Sequence, residues 1–301
     1  MVAIDQQFAT RGFSQGVRSL LAASWRSGTQ KDYSGKFKQF SSWCRGKQID
    51  TYSASLTDCA EFLTYLYHKG LKYRTIAGYR SMLSSVLQPV NNISVGQHPH
   101  IVRLLKGIFN SRPPTVKLLP EWDLPLVLKF IKKPPFEPLS VIPLKYLTWK
   151  CLFLIAITTF RRTSDIQALK LGEGNISMQK KGITFIRQGL SKSDRQNHMN
   201  AKIFVPSFSQ DSSLDPVRIL KTYLKRTKKF RNFGQDQAKF SLFLSCVEPH
   251  KPVTAQTLSK WIVKLIRLAY EDPSMKIKGH STRAIGSSWA LFNGASVNNI
   301  T

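Results

Sequence analysis

Two short stretches in the second half of the chain carry residue types suited to phosphate chemistry: Thr159-Phe160-Arg161-Arg162-Thr163-Ser164-Asp165-Ile166 and Gly279-His280-Ser281-Thr282-Arg283. Each sets polar groups three apart, so on a helix Arg162 shares a face with Asp165, and His280 with Arg283. Phosphoryl transfer places charge on the non-bridging oxygens. Two guanidiniums, permanently protonated and forked, can clamp those oxygens without a metal. Arg162 and Arg283 are the candidates for that clamp. His280 could bond the phosphate or accept a nucleophile's proton, and Asp165 could hold the arginine or the histidine in place. Taken singly each signal is weak, because an Arg and an Asp three apart are usually a solvated ion pair, and a lone HxxR is more often a satisfied helix contact.

The elements that must position these groups are mainly helical. Tyr33, Phe37, Phe40 and Cys44 fall at helical spacing after a plausible N-cap at Thr29, and further helical patterns run over 55–68, 75–87 and 100–109. These predict a bundle of about four helices. NSRPPTVKLLP, residues 110–120, cannot continue a helix and reads as an extended connection. Beyond it, 122–131 and 144–169 read as helices, the second being apolar through WKCLFLIAITTF and therefore central and buried. The period changes to two in GITFIR and AKIFVP, predicting a β-hairpin whose polar loop, QGLSKSDRQNHMN, is basic. Helical patterns return over 215–228 and 254–269, and a last one begins near Ser281. The expected organisation is an N-terminal arm (1–24), a helical domain (25–110), a linker (111–120) and a second domain (121–301).

Lys and Arg number 45 against 17 Asp and Glu, a formal charge of +28 that calls for a polyanionic partner, most simply duplex DNA. The excess is +9 over residues 1–110 and +19 over 111–301, so both domains are expected to touch it. With 42% hydrophobic and 11% aromatic residues the charge sits on folded surfaces rather than on a disordered tail. Cys44, Cys59, Cys151 and Cys246 are scattered and the histidines do not cluster, so neither a structural metal nor a disulfide framework is expected, and no cofactor is indicated. Few carboxylates converge, which argues against a metal-dependent nuclease. No stretch reads as a signal peptide or a membrane span, so no membrane partner is expected, and the cysteine usage points to a reducing compartment.

The order of the signals resembles the tyrosine recombinases, or phage-type integrases. In that family an arginine lies in a pattern like L-R-[IV]-[SA]-E-[LI], matched here by Phe160, Arg162, Thr163, Ser164, Asp165 and Ile166 with Arg161 as one extra residue, which favours Arg162 over Arg161. A hairpin lysine matches Ser191-Lys192-Ser193, with Lys202 as an alternative on the same loop, and an HxxR pair matches His280 and Arg283. The resemblance implies a mainly α fold with a small β-hairpin or sheet: a helical core-binding, SAM-like domain followed by a recombinase catalytic domain. It also implies DNA strand exchange through a 3′-phosphotyrosine, with Lys192 protonating the leaving 5′ oxygen. Lys69, Lys72, Arg74 and Arg80 lie near the start of a helix that family members set in the major groove. The basic run KTYLKRTKKFRNF reads equally as a phosphate track or a solvated helix face.

HSTRAIGSSWALFNGAS, with Ala284 after the second arginine, looks closer to recombinases of eukaryotic DIRS and Crypton mobile elements, which implies a nucleus; a bacterial source would imply the cytoplasm. A homo-tetramer on DNA is implied for the complete protein. The family's nucleophilic tyrosine follows the second arginine by a few tens of residues, whereas the last tyrosine here is Tyr270. The expectation is therefore a chain ending before its nucleophile, whether a fragment, an exon-truncated gene or a decayed copy. The alternative is a non-catalytic DNA-binding remnant or domesticated recombinase.

Overall fold

The computed structural model describes residues 5, 8, 9, 12–115, 122–192, 194–197, 199, 201–231 and 240–296. The chain forms two compact units, Met1–Lys117 and Leu118–Thr301, each with its own hydrophobic core.

The first unit contains α1 (Gln15–Ala23), α2 (Ser27–Gly46), α3 (Leu56–His68), α4 (Tyr73–Val86) and α5 (Pro99–Ser111). α3 begins with a capping box: Asp58 N donates to Ser55 Oγ at 3.1 Å while Asp58 Oδ2 accepts from Ser55 N at 2.9 Å. α2 starts earlier than its pattern predicts, so Thr29 lies inside the helix and Arg26 occupies the N-cap, its side chain not capping the helix. Phe40 and Cys44 from α2, Phe62 and Leu66 from α3, Ile76 and Met82 from α4, and Ile101 from α5 are completely buried together. Phe62 is the hub, packing edge-on to Phe40 (centroids 5.0 Å apart) and to Tyr79 (5.7 Å).

The second unit contains α6 (Leu124–Phe130), α7 (Leu144–Thr159), α8 (Thr163–Gln167), strands β1 (Ile176–Gln179), β2 (Gly182–Ile186) and β3 (Lys202–Pro206), then α9 (Pro216–Thr227), α10 (Ala255–Ala269) and α11 (Ser281–Phe292). Every residue of α7 from Leu147 to Ile157 is buried, and β3, α9, α10 and α11 pack around it. One charge lies in that span. Lys150 Nζ donates to Glu137 Oε1 at 2.6 Å and to the Phe136 carbonyl at 3.4 Å. Burial pushes the Lys150 ammonium below the usual lysine range, with Glu137 opposing.

Two expectations are corrected. The helix read over 144–169 is broken: α7 ends at Thr159, Phe160 takes a left-handed conformation (φ 53°, ψ 23°), and the short α8 starts at Thr163. Phe160 ends the helical path, and the hydroxyls of Thr158 and Thr159 fold back onto the Leu154 and Ile155 carbonyls at 2.7 and 2.6 Å. With no Gly or Pro at the break, the apolar period reads straight through it. The expected hairpin is also the inner part of a three-stranded antiparallel sheet, β1-β2-β3. Ile183 pairs with Val205 and Phe185 with Ile203, and all four side chains face the core. β1, ISMQ, is short and mostly exposed, so it leaves no alternating signature.

Two glycines allow α11 to be seated. A Cβ on Gly286 would stand 2.8 Å from the Ile157 carbonyl and 3.0 Å from the Phe160 ring, so this helix meets the end of α7 at backbone contact. A Cβ on Gly279 would collide with Ser259 of α10, 2.2 Å from Oγ and 2.8 Å from its carbonyl oxygen. Trp122 Nε1 donates to Ser281 Oγ at 2.8 Å, pinning the first residue of α11. Among the described residues no helix is long and apolar enough to cross a membrane.

Three outcomes are expected. Gly286→Ala will force α11 off α7 and destabilise the second unit by about 1–3 kcal/mol, read as a lower urea midpoint. Glu137→Ala will strand the Lys150 ammonium and cost about 3 kcal/mol, whereas Lys150→Met paired with Glu137→Leu will be near neutral in the same assay. Burial raises the Cys44 and Cys59 thiols from 9.0 to about 11 and about 12. A group raised by folding contributes stability that is present below its unfolded pKa and lost as pH climbs through the folded value. Stability will therefore fall between pH 9 and about 12, and Cys59→Ala will make that fall shallower in urea titrations.

Candidate functional site

The break after α7 creates the site. Because Phe160 turns the chain, Arg161 and Arg162 lie on a corner between two helices instead of on a helix face, and Arg162 is extended (φ −71°, ψ 152°) at the N-cap of α8. Asp165, 6% exposed, accepts the Arg162 backbone N–H on Oδ2 at 3.3 Å, so it fixes the arginine's main chain. The expected sharing of a helix face by Arg162 and Asp165 is thus replaced by a capping contact.

Arg161 feels charges from several elements of the second unit. Burial pushes its guanidinium below the usual arginine range, Asp165 opposes that, the charges of Arg283 and Arg187 add to it, and Asp194 opposes it. Arg283 stands one turn into α11, exposed, and is carried to the corner by the Gly286 contact. His280, also exposed, is the N-cap residue of α11, and its carbonyl accepts the Arg283 N–H at 3.3 Å. Thr282 is buried beneath them and donates to the Gly279 carbonyl at 3.1 Å.

The β2–β3 loop supplies the other wall. Arg187, 4% exposed, follows β2, and its Nη2 is 2.5 Å from Asp194 Oδ2. Lys192 lies between Ser191 and Asp194 in this loop with its side chain exposed, and Lys202 is exposed at the start of β3. Ser193 lies outside the described residues. The structure therefore brings Arg161, Arg187, Arg283, Asp165 and Asp194 into one electrostatic neighbourhood, with Arg162 adjoining Arg161 and Lys192 on the loop that Asp194 ties. Four arginines against two aspartates leave a local positive excess, which suits an anion with several acceptor oxygens. Sequence reasoning missed Arg187 and Asp194. Their signal is an arginine ending a strand and an aspartate inside the loop it opens, a pattern that has meaning only once the loop folds back.

In the first unit, Lys69 caps the C-terminus of α3 with Nζ 4.8 Å over the Tyr65 ring. Lys72 is the N-cap residue of α4, and Lys72 and Arg74 are exposed at that helix start. Arg80 lies farther along α4, half-buried, with a buried Nε that has no acceptor among the described residues. Lys69, Lys72 and Arg74 thus gather at the α3–α4 turn, and Arg80 is set apart from them.

The basic run over 221–233 divides by face. Lys221, Lys225, Lys228 and Lys229 are exposed, Tyr223 is core, and Arg231 is buried with its guanidinium donating to the Ser241 and Leu242 carbonyls, both at 2.6 Å. Asn232 and Phe233 lie outside the described residues.

No family model matches the chain, and no curated protein matches it. Solved structures do. A Tn1549 transposon integrase in complex with a circular intermediate DNA superposes with a TM-score of 0.58 at 16% identity, covering 99% of this chain and 88% of that one. The same integrase in complex with transposon right end DNA gives 0.58 at 14% identity, with the same coverage. A lambda integrase dimer bound to a core site gives 0.48 at 14% identity, covering 97% and 88%. At these identities the likeness concerns architecture. Mainly helical, with one small antiparallel sheet beside a buried central helix, the chain has the tyrosine-recombinase fold.

Proposed function

We propose that this chain binds duplex DNA and that the Arg161–Arg162 corner, Arg283, His280 and Lys192 form a phosphate site of the tyrosine-recombinase type. The observation that carries the reading is that the Arg161 guanidinium feels the charges of Arg283, far apart in sequence, and of Arg187 and Asp194, which flank Lys192 in the chain. In that site the arginines hold the non-bridging oxygens, His280 bonds the phosphate or takes a nucleophile's proton, and Lys192 donates a proton to the leaving 5′ oxygen. The exposed cations at the α3–α4 turn contact the backbone or the major groove.

The reaction we assign is strand exchange through a 3′-phosphotyrosine, by several protomers on DNA, in a nuclear mobile-element setting of the DIRS or Crypton kind. The Tyr270 hydroxyl accepts the Asp123 backbone N–H at 2.5 Å and so supports the fold.

Fluorescence anisotropy with a labelled mixed-sequence duplex tests the binding. Affinity will fall steeply with salt, each neutralised phosphate contributing a log–log slope of about −0.9, and Arg283→Ala will make the slope shallower by roughly one contact. A salt-independent affinity would overturn the reading. Arg162→Lys keeps the charge and loses the fork, so it will weaken binding while leaving the slope nearly unchanged. Tyr270→Phe will lower stability by about 1 kcal/mol and leave DNA affinity unaltered.

A further inference from the structure

The loop that carries Lys192 is organised around a buried ion pair. The Arg187 and Asp194 side chains are 2% and 1% exposed. Arg187 Nη1 donates to the Gly189 carbonyl, and Nη2 to Asp194 Oδ2 at 2.5 Å. The same carboxylate accepts from Ser191 N at 2.8 Å and from Ser191 Oγ at 3.0 Å. Arg195 Nη1 reaches the carbonyls of Asp194 at 3.0 Å and Lys192 at 3.5 Å. The backbone is therefore tied on both sides of Lys192, while the Lys192 side chain is exposed.

A buried pair of this kind contributes little to stability, because desolvation of the two ions offsets their attraction. Its effect here is local. Lys192 lies in the polar stretch between β2 and β3, and a lysine on an unrestrained loop of that length would lose much entropy on meeting a phosphate. A carboxylate two residues from Lys192 would also compete for its ammonium, and Arg187 removes that competition by taking the carboxylate itself.

We propose that the Arg187–Asp194 pair is a positioning device that locks the turn around Lys192 and presents its ammonium to the phosphate bound at the arginine corner. This rests on the DNA-binding reading above, with Arg187 and Asp194 acting through Lys192 rather than on DNA directly.

Amine acetylation of the full chain, followed residue by residue by mass spectrometry with and without a mixed-sequence duplex, tests it. In the wild-type chain DNA will slow acetylation of Lys192 several-fold, and of Lys69 and Lys72 as well. Asp194→Asn will abolish protection at Lys192 and keep it at Lys69 and Lys72, and Asp194→Glu will restore part of it. Since loss of a buried charge can unfold a domain, Arg187→Met combined with Asp194→Leu serves as the second variant. It will recover the wild-type urea midpoint without recovering protection at Lys192. Equal protection of Lys192 in the wild-type and variant chains would overturn the inference, as would a DNA-bound wild-type chain in which Lys192 alone is unprotected. Absence of DNA binding by the wild-type chain would instead overturn the functional reading, and the inference with it.

Discussion

The seating of α11 on the end of α7 is the contact on which the second unit's site depends. At Gly286 the helix approaches the Ile157 carbonyl and the Phe160 ring so closely that a methyl group would not fit. Interiors are packed too densely to absorb such an intrusion without moving an element. Arg283 lies one turn before this glycine, so the same contact that buries the helix delivers the guanidinium to the corner. Phe160 serves both sides: its left-handed backbone ends α7 and sets Arg161 and Arg162, both half-buried, at the corner, and its ring is part of the surface on which Gly286 rests. A residue in that conformation costs about 1–2 kcal/mol unless it is glycine, and tertiary packing must hold it there.

Two buried ion pairs among the described residues of this unit show how similar chemistry can serve different ends. Lys150 with Glu137 lies in the helical core and fixes the segment before α7 against it. Arg187 with Asp194 lies at the mouth of the sheet, beside the charges of Arg161 and Arg283, and ties a loop instead of a core. Arg231, also buried, spends its guanidinium on two carbonyls after α9. The net charge therefore overstates the cations available to a partner, because Lys150, Arg187 and Arg231 are internal struts.

Much of the fold was legible in the sequence because apolar periodicity is a local record of burial. The helical spacing of Tyr33, Phe37, Phe40 and Cys44 and the uninterrupted apolar run of α7 are each written in neighbouring residues. β1 was not legible, since four mostly exposed residues carry no alternation, and the end of α7 was hidden because Phe160 enforces a turn that its own residue type disfavours. Among the candidate-site residues, Arg162, Asp165, His280 and Arg283 could be named from their types and spacing, and Lys192 from the family resemblance with Arg161 weighed beside Arg162, whereas Arg187 and Asp194 could not be named.

What the sequence determined by itself is the charge and its spread over both halves, the helical class, and the order of the basic signals, all of which depend on composition and short-range pattern. What only the tertiary structure decided is which arginines meet. Arg161 feels the charge of Arg283, 122 residues on, and a strand-end arginine ties the Lys192 loop. The physical reason is that these encounters are fixed by long-range packing, by a glycine that lets two helices touch and a phenylalanine that turns the chain, and neither leaves a periodic trace along the sequence.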